Sequence, residues 1–202
     1  MSKLTVQGFD IYKGALDRTA QASLRDAVRD VVKIAPLMRP VTPAGKPMSV
    51  RMSAAGRLGW ITDRTGYRYS ATHPNGQTWP AIPDKVLDIW HGVTGMDRTP
   101  DCCLINYYDA SARMGLHQDR DEGDFEWSVL SISLGDTAIF RMGGVQRSDP
   151  TRSVRLESGD VVVMGGASRL AYHGIDRVLP GTSTLLRDGG RINLTLRVVD
   201  QS

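Results

Sequence analysis

From Asp101 onward, apolar residues recur with a period of two, in short runs punctuated by glycine-bearing turns. Alternate residues of an extended chain point to opposite faces, so this pattern predicts strands. The runs fall at 103–108, 127–134, 138–142, 154–156, 161–164 and 191–199. Gly135-Asp136, Gly143-Gly144, Ser158-Gly159-Asp160 and Gly165-Gly166 separate them. Many short strands with close turns imply a sandwich or barrel. Upstream the period is helical. Leu16, Ala20, Leu24, Ala27, Val28, Val31 and Val32 mark an amphipathic helix over 17–34, stopped by Pro36. A second helix is expected over 83–93, with Pro83 at its start and Gly92 and Gly95 near its end. Segment 39–47 reads as loop, and 51–78 as short strands and loops. The expectation is a mainly β chain with flanking helices (α+β). Its 202 residues show no internal repeat and no dividing linker, so one domain over 1–202 is expected.

Several classes fall away on composition. The apolar runs are too short to span a bilayer, so no membrane partner is expected. Residues 1–8 hold no apolar stretch of the secretory kind. Cys102 and Cys103 are adjacent and would point to opposite faces of a strand, which disfavours a disulfide between them. A reduced, cytoplasmic protein is the expectation. The net charge is +3, carried by 20 Arg against 5 Lys. Arg suits bidentate pairing with phosphate or carboxylate. A GC-rich coding bias accounts for the excess equally well.

Four histidines are present. His117 and Asp119 stand two apart, so in an extended segment both can grip one ion. His173 follows after a predicted strand. Two imidazoles and one carboxylate compose the facial triad of non-haem Fe(II) oxygenases, which leaves coordination positions open. Zinc with an open position fits the same three ligands. A solvated surface turn around Arg120-Asp-Glu-Gly123 is the plain alternative. His91, on the second helix, reads as a polar-face or packed residue, and His73 as a turn residue.

Arg191-Ile-Asn-Leu-Thr-Leu-Arg197 alternates strictly. Its polar side would face water on an ordinary half-buried strand. On the inner wall of a barrel, each arginine would need an anionic partner, because an unpaired buried charge is very costly. A dicarboxylate supplies one, bound bidentately. Asn106 and Tyr108, also two apart, could share a face and donate to the same ligand.

Taken in order, Asn-x-Tyr, His-x-Asp, the distal His and Arg-x-Asn-x-Thr-x-Arg resemble the AlkB family of Fe(II)- and 2-oxoglutarate-dependent dioxygenases. The resemblance extends through Met114-Gly-Leu-His-Gln-Asp-Arg-Asp-Glu122, Ser131-Ile-Ser-Leu-Gly135, Gly159-Asp-Val-Val-Val163 and Ser168-Arg-Leu-Ala-Tyr-His-Gly174. It reaches back to Leu58-Gly-Trp60, Gly66-Tyr67 and Trp79-Pro80, and so covers roughly residues 50–198. The combined motif is specific, although none of its parts is.

The resemblance implies a double-stranded β-helix (jelly-roll) core at about 101–199, with a nucleotide-recognition lid at about 50–80. It implies Fe(II) on His117, Asp119 and His173, with 2-oxoglutarate and O2 as cosubstrates. Arg191 would pair with the distal carboxylate of 2-oxoglutarate and Arg197 would lie near its other end. Asn106, Tyr108 and Asn193 would add hydrogen bonds. Trp60 would stack on the base, Tyr67 would contact the phosphate backbone, Asp121 would face the cationic lesion, and Arg147 would lie near the strand. The implied activity is oxidative demethylation of bases such as 1-methyladenine and 3-methylcytosine in single- or double-stranded DNA, with RNA as a further substrate, by a monomer. A lesion must leave the stack to be reached. Met164 departs from the pattern, standing where the family leads one to expect Trp, and Tyr107 and Gly123-Asp-Phe-Glu-Trp127 are individual to this chain. Two other readings stay open: a 2-oxoglutarate oxygenase acting on a protein or small molecule, and a non-catalytic metal-binding jelly-roll module.

Overall fold

The computed structural model describes residues 2–200. Thirteen strands and two helices follow in chain order: β1 (Ser2–Val6), β2 (Phe9–Lys13), α1 (Arg18–Ile34), β3 (Arg51–Gly56), β4 (Gly59–Asp63), β5 (Gly66–Ser70), α2 (Asp84–Thr94), β6 (Cys102–Tyr108), β7 (Met114–His117), β8 (Val129–Gly135), β9 (Thr137–Met142), β10 (Arg152–Leu156), β11 (Val161–Met164), β12 (His173–Leu179) and β13 (Arg191–Arg197). A large sheet has the order β1-β2-β11-β8-β13-β6-β3, a small one β10-β9-β12-β7, and β4-β5 form a separate ribbon. All strand pairs are antiparallel. The mainly β architecture with flanking helices is the one the periodicity implies.

Both helices lie where the apolar spacing puts them. Asp17 caps α1, its carboxylate accepting from the Ala20 N–H at 2.8 Å. Gly95 ends α2 in the left-handed conformation, at φ 68°. Leu24, Val28 and Val31 of α1 and Val86 and Trp90 of α2 pack on one face of the large sheet. That face is built from Cys103 and Ile105 of β6, Leu130, Ile132 and Leu134 of β8, and Leu194 and Leu196 of β13. The other face meets the small sheet. Phe9, Ile11, Met52, Tyr108, Val129 and Met164 pack there against Phe140, Met142, Leu156, Ile175 and Val178. Two facing sheets with helices on one outer side make the jelly-roll plan.

Some elements differ from the expectation. The strand expected over 127–134 begins at Val129, because Trp127 belongs to the preceding loop, where its carbonyl accepts from Arg169. Within the segment expected as a lid, Arg51–Gly56 pairs along β6 in the large sheet, while β4 and β5 stand apart as the ribbon. His173 does not simply trail a strand; it is the first residue of β12. Cys102 and Cys103 are both free and buried. No described helix is long and apolar enough to cross a membrane.

Candidate active site

One cavity of about 400 Å³ opens between the two sheets under the ribbon. Its wall includes each of the twelve residues singled out from the sequence. His117, Asp119 and His173 sit together, with potential ligand atoms all within 4.8 Å of one another. Two small-sheet neighbours supply the imidazoles, since His117 ends β7 and His173 begins β12, directly opposite each other in register. Gly174 permits the close approach: a Cβ there would lie 2.5 Å from the Met114 carbonyl.

The donor set fits a divalent ion. His117 Nδ1 lies 2.9 Å from the Gly115 carbonyl and His173 Nδ1 lies 3.0 Å from the Ala171 carbonyl. A carbonyl only accepts, so each Nδ1 carries the proton and each Nε2 presents a lone pair. These Nε2 atoms lie 3.8 and 3.9 Å from Asp119 oxygens. Asp119 Oδ2 is buried without a hydrogen-bond partner. Burial favours the neutral acid, but the positive charge of Arg197, with His173, His117 and Arg169, outweighs it and keeps Asp119 well below the usual carboxylate range. Burial, then the neighbouring His117, lowers His173 to about 4, so it is the neutral, ligating form near pH 7. The other two histidines are occupied elsewhere: His73 bonds the Pro36 carbonyl and the Asn75 N–H, and His91 the Met96 carbonyl.

The inner face of β13 forms the cavity floor. Arg191 is fully buried; its Nη2 donates to Ser133 Oγ at 2.7 Å, while its Nε has no partner. No carboxylate lies within ion-pair distance of it among the described residues. Burial lowers its pKa to about 10, partly offset by Tyr108 and Asp160. A buried guanidinium with spare donors, facing a cavity, fits the distal carboxylate of a dicarboxylate. Asn106 and Tyr108 on β6 stand beside Asn193 and Arg191 in register. Burial pushes the Tyr108 phenol up to about 12, so it remains a donor. Asn193 donates to Ser131 Oγ at 2.6 Å. Arg197 is already committed. Its Nη2 lies 2.7 Å from Asp119 Oδ1 and its Nε 3.5 Å from Glu122 Oε1. It therefore orients the carboxylate of the triad.

The ribbon roofs the cavity. Trp60 donates its indole N–H to Asp121 Oδ2 at 2.8 Å and stacks on Tyr67, with ring centroids 5.5 Å apart and planes 17° apart. Tyr67 is half exposed. At the rim, Arg147 donates to the Leu116 carbonyl at 3.0 Å and lies over the Tyr172 ring.

Sequence reasoning missed four polar residues of this site. Ser131 and Ser133 were detectable in principle, because they alternate with Leu130, Ile132 and Leu134 as the polar members of β8. Tyr69 and Glu122 carry no such signal, since their partners are remote in sequence.

A family model described as the 2OG-Fe(II) oxygenase superfamily matches residues 8–197. The chain is 56% identical over 193 residues to an alpha-ketoglutarate-dependent dioxygenase AlkB homolog of Caulobacter vibrioides, spanning 95% of this chain and 88% of that protein. It is 44% identical over 183 residues to the alpha-ketoglutarate-dependent dioxygenase AlkB of Escherichia coli, spanning 88% of this chain and 84% of that protein. The solved structure of OsALKBH1 matches with a TM-score of 0.79 at 30% identity, covering 98% of this chain and all of that one.

Proposed function

The chain belongs to the 2OG-Fe(II) oxygenase superfamily and, within it, to the AlkB dioxygenases, and on that premise we propose that it repairs N-alkylated bases in DNA, and in RNA, by oxidative dealkylation. The observation that carries this reading is the shared cavity: a two-His, one-carboxylate cluster lies in the same space as an aromatic roof and a carboxylate at its edge. A 1-methyladenine or 3-methylcytosine ring is flat and cationic. Trp60 offers it a π face, and Asp121 a negative charge held in place by the Trp60 N–H.

In this reading His117, Asp119 and His173 hold Fe(II). Arg191, kept in position by Ser133, takes the distal carboxylate of 2-oxoglutarate. Asn106, Tyr108 and Asn193 complete the cradle with hydrogen bonds, and Arg197 fixes the Asp119 carboxylate from behind. Bound Fe(II) with 2-oxoglutarate supplies hydroxylation of the alkyl carbon at the expense of O2, releasing succinate and carbon dioxide. Met52, Leu104, Phe140 and Leu156 line the remaining wall and exclude water from the reacting carbon. The hydroxylated alkyl group then leaves the base as an aldehyde. Tyr67 and Arg147, at the rim, meet the flanking backbone. The target base must be out of its stack, so single strands and weakened pairs are the better substrates. We assign the protein to the cytoplasm, in keeping with its two free, buried thiols, and read it as a monomer, since one chain supplies the triad, the cradle and the ribbon.

The test is aerobic incubation with Fe(II), ascorbate and 2-oxoglutarate on a short single strand bearing one 1-methyladenine, read by mass. The expected result is loss of one methylene equivalent, dependent on 2-oxoglutarate and abolished in His117→Ala while the fold persists. Arg147→Ala should lose oligonucleotide turnover selectively. Succinate formation with an unchanged oligonucleotide would overturn the substrate assignment and leave a protein or small molecule as the target.

A further inference from the structure

Asp119, Asp121 and Glu122, in the loop after β7, point in different directions. Asp119 faces the two imidazoles, and Asp121 reaches Trp60. Glu122 does neither. Its side chain is 1% exposed, and it is buried between two arginines and a phenol. Arg169 Nη2 lies 3.1 Å from its Oε2, and Arg197 Nε 3.5 Å from its Oε1. The Tyr69 hydroxyl donates to Oε1.

Every partner of Glu122 also reaches something that matters to the triad. Arg169 is itself buried and donates through Nη1 to the Asp119 carbonyl at 2.6 Å and through Nε to the Trp127 carbonyl at 2.7 Å. Arg197 donates to Asp119 Oδ1 at 2.7 Å and lies 3.3 Å from the Tyr69 hydroxyl. Tyr69 belongs to β5, where it is the register partner of Trp60 on β4. The ribbon is therefore tied to the loop carrying Asp119 at two cross-strand neighbours: Trp60 to Asp121, and Tyr69 to Glu122 and Arg197. Two carboxylates and two guanidiniums balance in charge within this cluster. A buried ion cluster is weak evidence for stability, because desolvation offsets the attraction, so its directional bonds invite a different role.

We propose that Glu122, with Tyr69 and Arg169, is a positioning residue that couples the ribbon to the Asp119 carboxylate. When a base settles on Trp60 the ribbon is held down. The Tyr69 hydroxyl then stays on Glu122 and Arg197, and Arg197 holds Asp119 in the ligating orientation. With the ribbon lifted, the Tyr69 bond is lost and Asp119 is held less firmly. Substrate binding and metal binding are thereby linked equilibria, and each strengthens the other by the same factor. The inference rests on the dealkylase reading of the ribbon.

The test measures Mn(II) affinity anaerobically in the presence of 2-oxoglutarate, reading free Mn(II) by electron paramagnetic resonance so that no turnover is involved. Titrations are run with and without a single strand bearing 1-methyladenine, whose own binding is followed by fluorescence anisotropy. Tyr69→Phe removes one hydroxyl, and Glu122→Gln keeps the shape and removes the charge. In the wild type, oligonucleotide should tighten Mn(II) binding by about fivefold or more, the lower end of ordinary coupling between sites. In Tyr69→Phe that factor should fall close to one, whatever the Mn(II) affinity without oligonucleotide, because base binding then has no hydroxyl to hold on Glu122 and Arg197. A side chain with a merely structural role would weaken both titrations alike and leave the factor unchanged. Equal factors in wild type and Tyr69→Phe, or no factor in the wild type despite oligonucleotide binding, would overturn the coupling. Glu122→Gln should lose the factor and also bind Mn(II) more weakly alone; should it fail to fold, Tyr69→Phe decides the matter. A wild type that does not bind the oligonucleotide at all would overturn the dealkylase reading and the coupling with it.

Discussion

Replacing Arg191 by Met should stabilise the ligand-free protein and cripple its use of 2-oxoglutarate. Arg191 is fully buried, and burial lowers its pKa from 12.5 to about 10. Each pKa unit corresponds to about 1.4 kcal/mol, so the charged form carries a penalty of ~3 kcal/mol. Met fills similar space without charge. It forfeits the bond to Ser133 Oγ and the long one to the Leu156 carbonyl at 3.4 Å, together a loss of roughly 1–2 kcal/mol. The balance favours the variant by ~1–2 kcal/mol, within the range seen when buried ions are replaced by apolar residues. For a chain of this length that raises Tm by about 2–8 °C. Loss of a buried, hydrogen-bonded charge partner costs about 2–5 kcal/mol of binding, so 2-oxoglutarate affinity should fall by a factor of about 30 to several thousand. Thermal melts of metal-free protein, paired with calorimetric titration of 2-oxoglutarate in the presence of Mn(II), measure both quantities. A variant that melts lower yet binds 2-oxoglutarate normally would refute the assignment, because Arg191 would then be a structural residue.

Burial pushes the Cys102 thiol up to about 12 and raises Cys103 likewise, so both stay protonated and should not react with a disulfide reagent near neutral pH until the chain is unfolded. Because the folded values lie above the unfolded ones, this contribution to stability is present below pH 9 and is lost as pH rises toward 12. Prompt labelling of either thiol in the native protein would contradict the packing described. Trp90, fully buried in α2 with its indole N–H on the Arg98 carbonyl, anchors the helical layer to the large sheet. Trp90→Ala should cost about 3–5 kcal/mol, read as a lower urea midpoint; a change below about 1 kcal/mol would mean the layer is held elsewhere.

The sequence disclosed what repeats locally. Alternation along 191–197 placed Arg191, Asn193, Thr195 and Arg197 on one face, and that face is the cavity floor. Helical spacing located α1 and α2 to within a residue or so. Asn106 and Tyr108, two apart on β6, both line the cavity for the same reason. Short strands were harder. β7 has four residues and its ladder to β12 is irregular, so neither showed a clean period although both carry triad histidines. The expectation includes no strand before α1, yet β1 and β2 lie there, joined by a tight turn with Gln7 and Gly8 at positive φ; β2 owes its place to β11, and β1 to β2. Glu122 and Arg169 looked like ordinary charged residues. Their burial is set by contacts across 47 positions, which no local window can report.

Because β13 serves two masters on its two faces, those faces are open to change independently. Ile192, Leu194 and Leu196 belong to the core on the helix side of the sheet, so apolar exchanges of similar volume there should cost less than about 1.5 kcal/mol and leave the cavity face unchanged. Insertion of one residue is another matter. It would turn the helix-facing side chains into the cavity and drive both arginines into the apolar layer, deleting anchor and fold in a single event. For anyone diversifying this protein, β13 is best treated as a fixed frame on which letters are exchanged but never added.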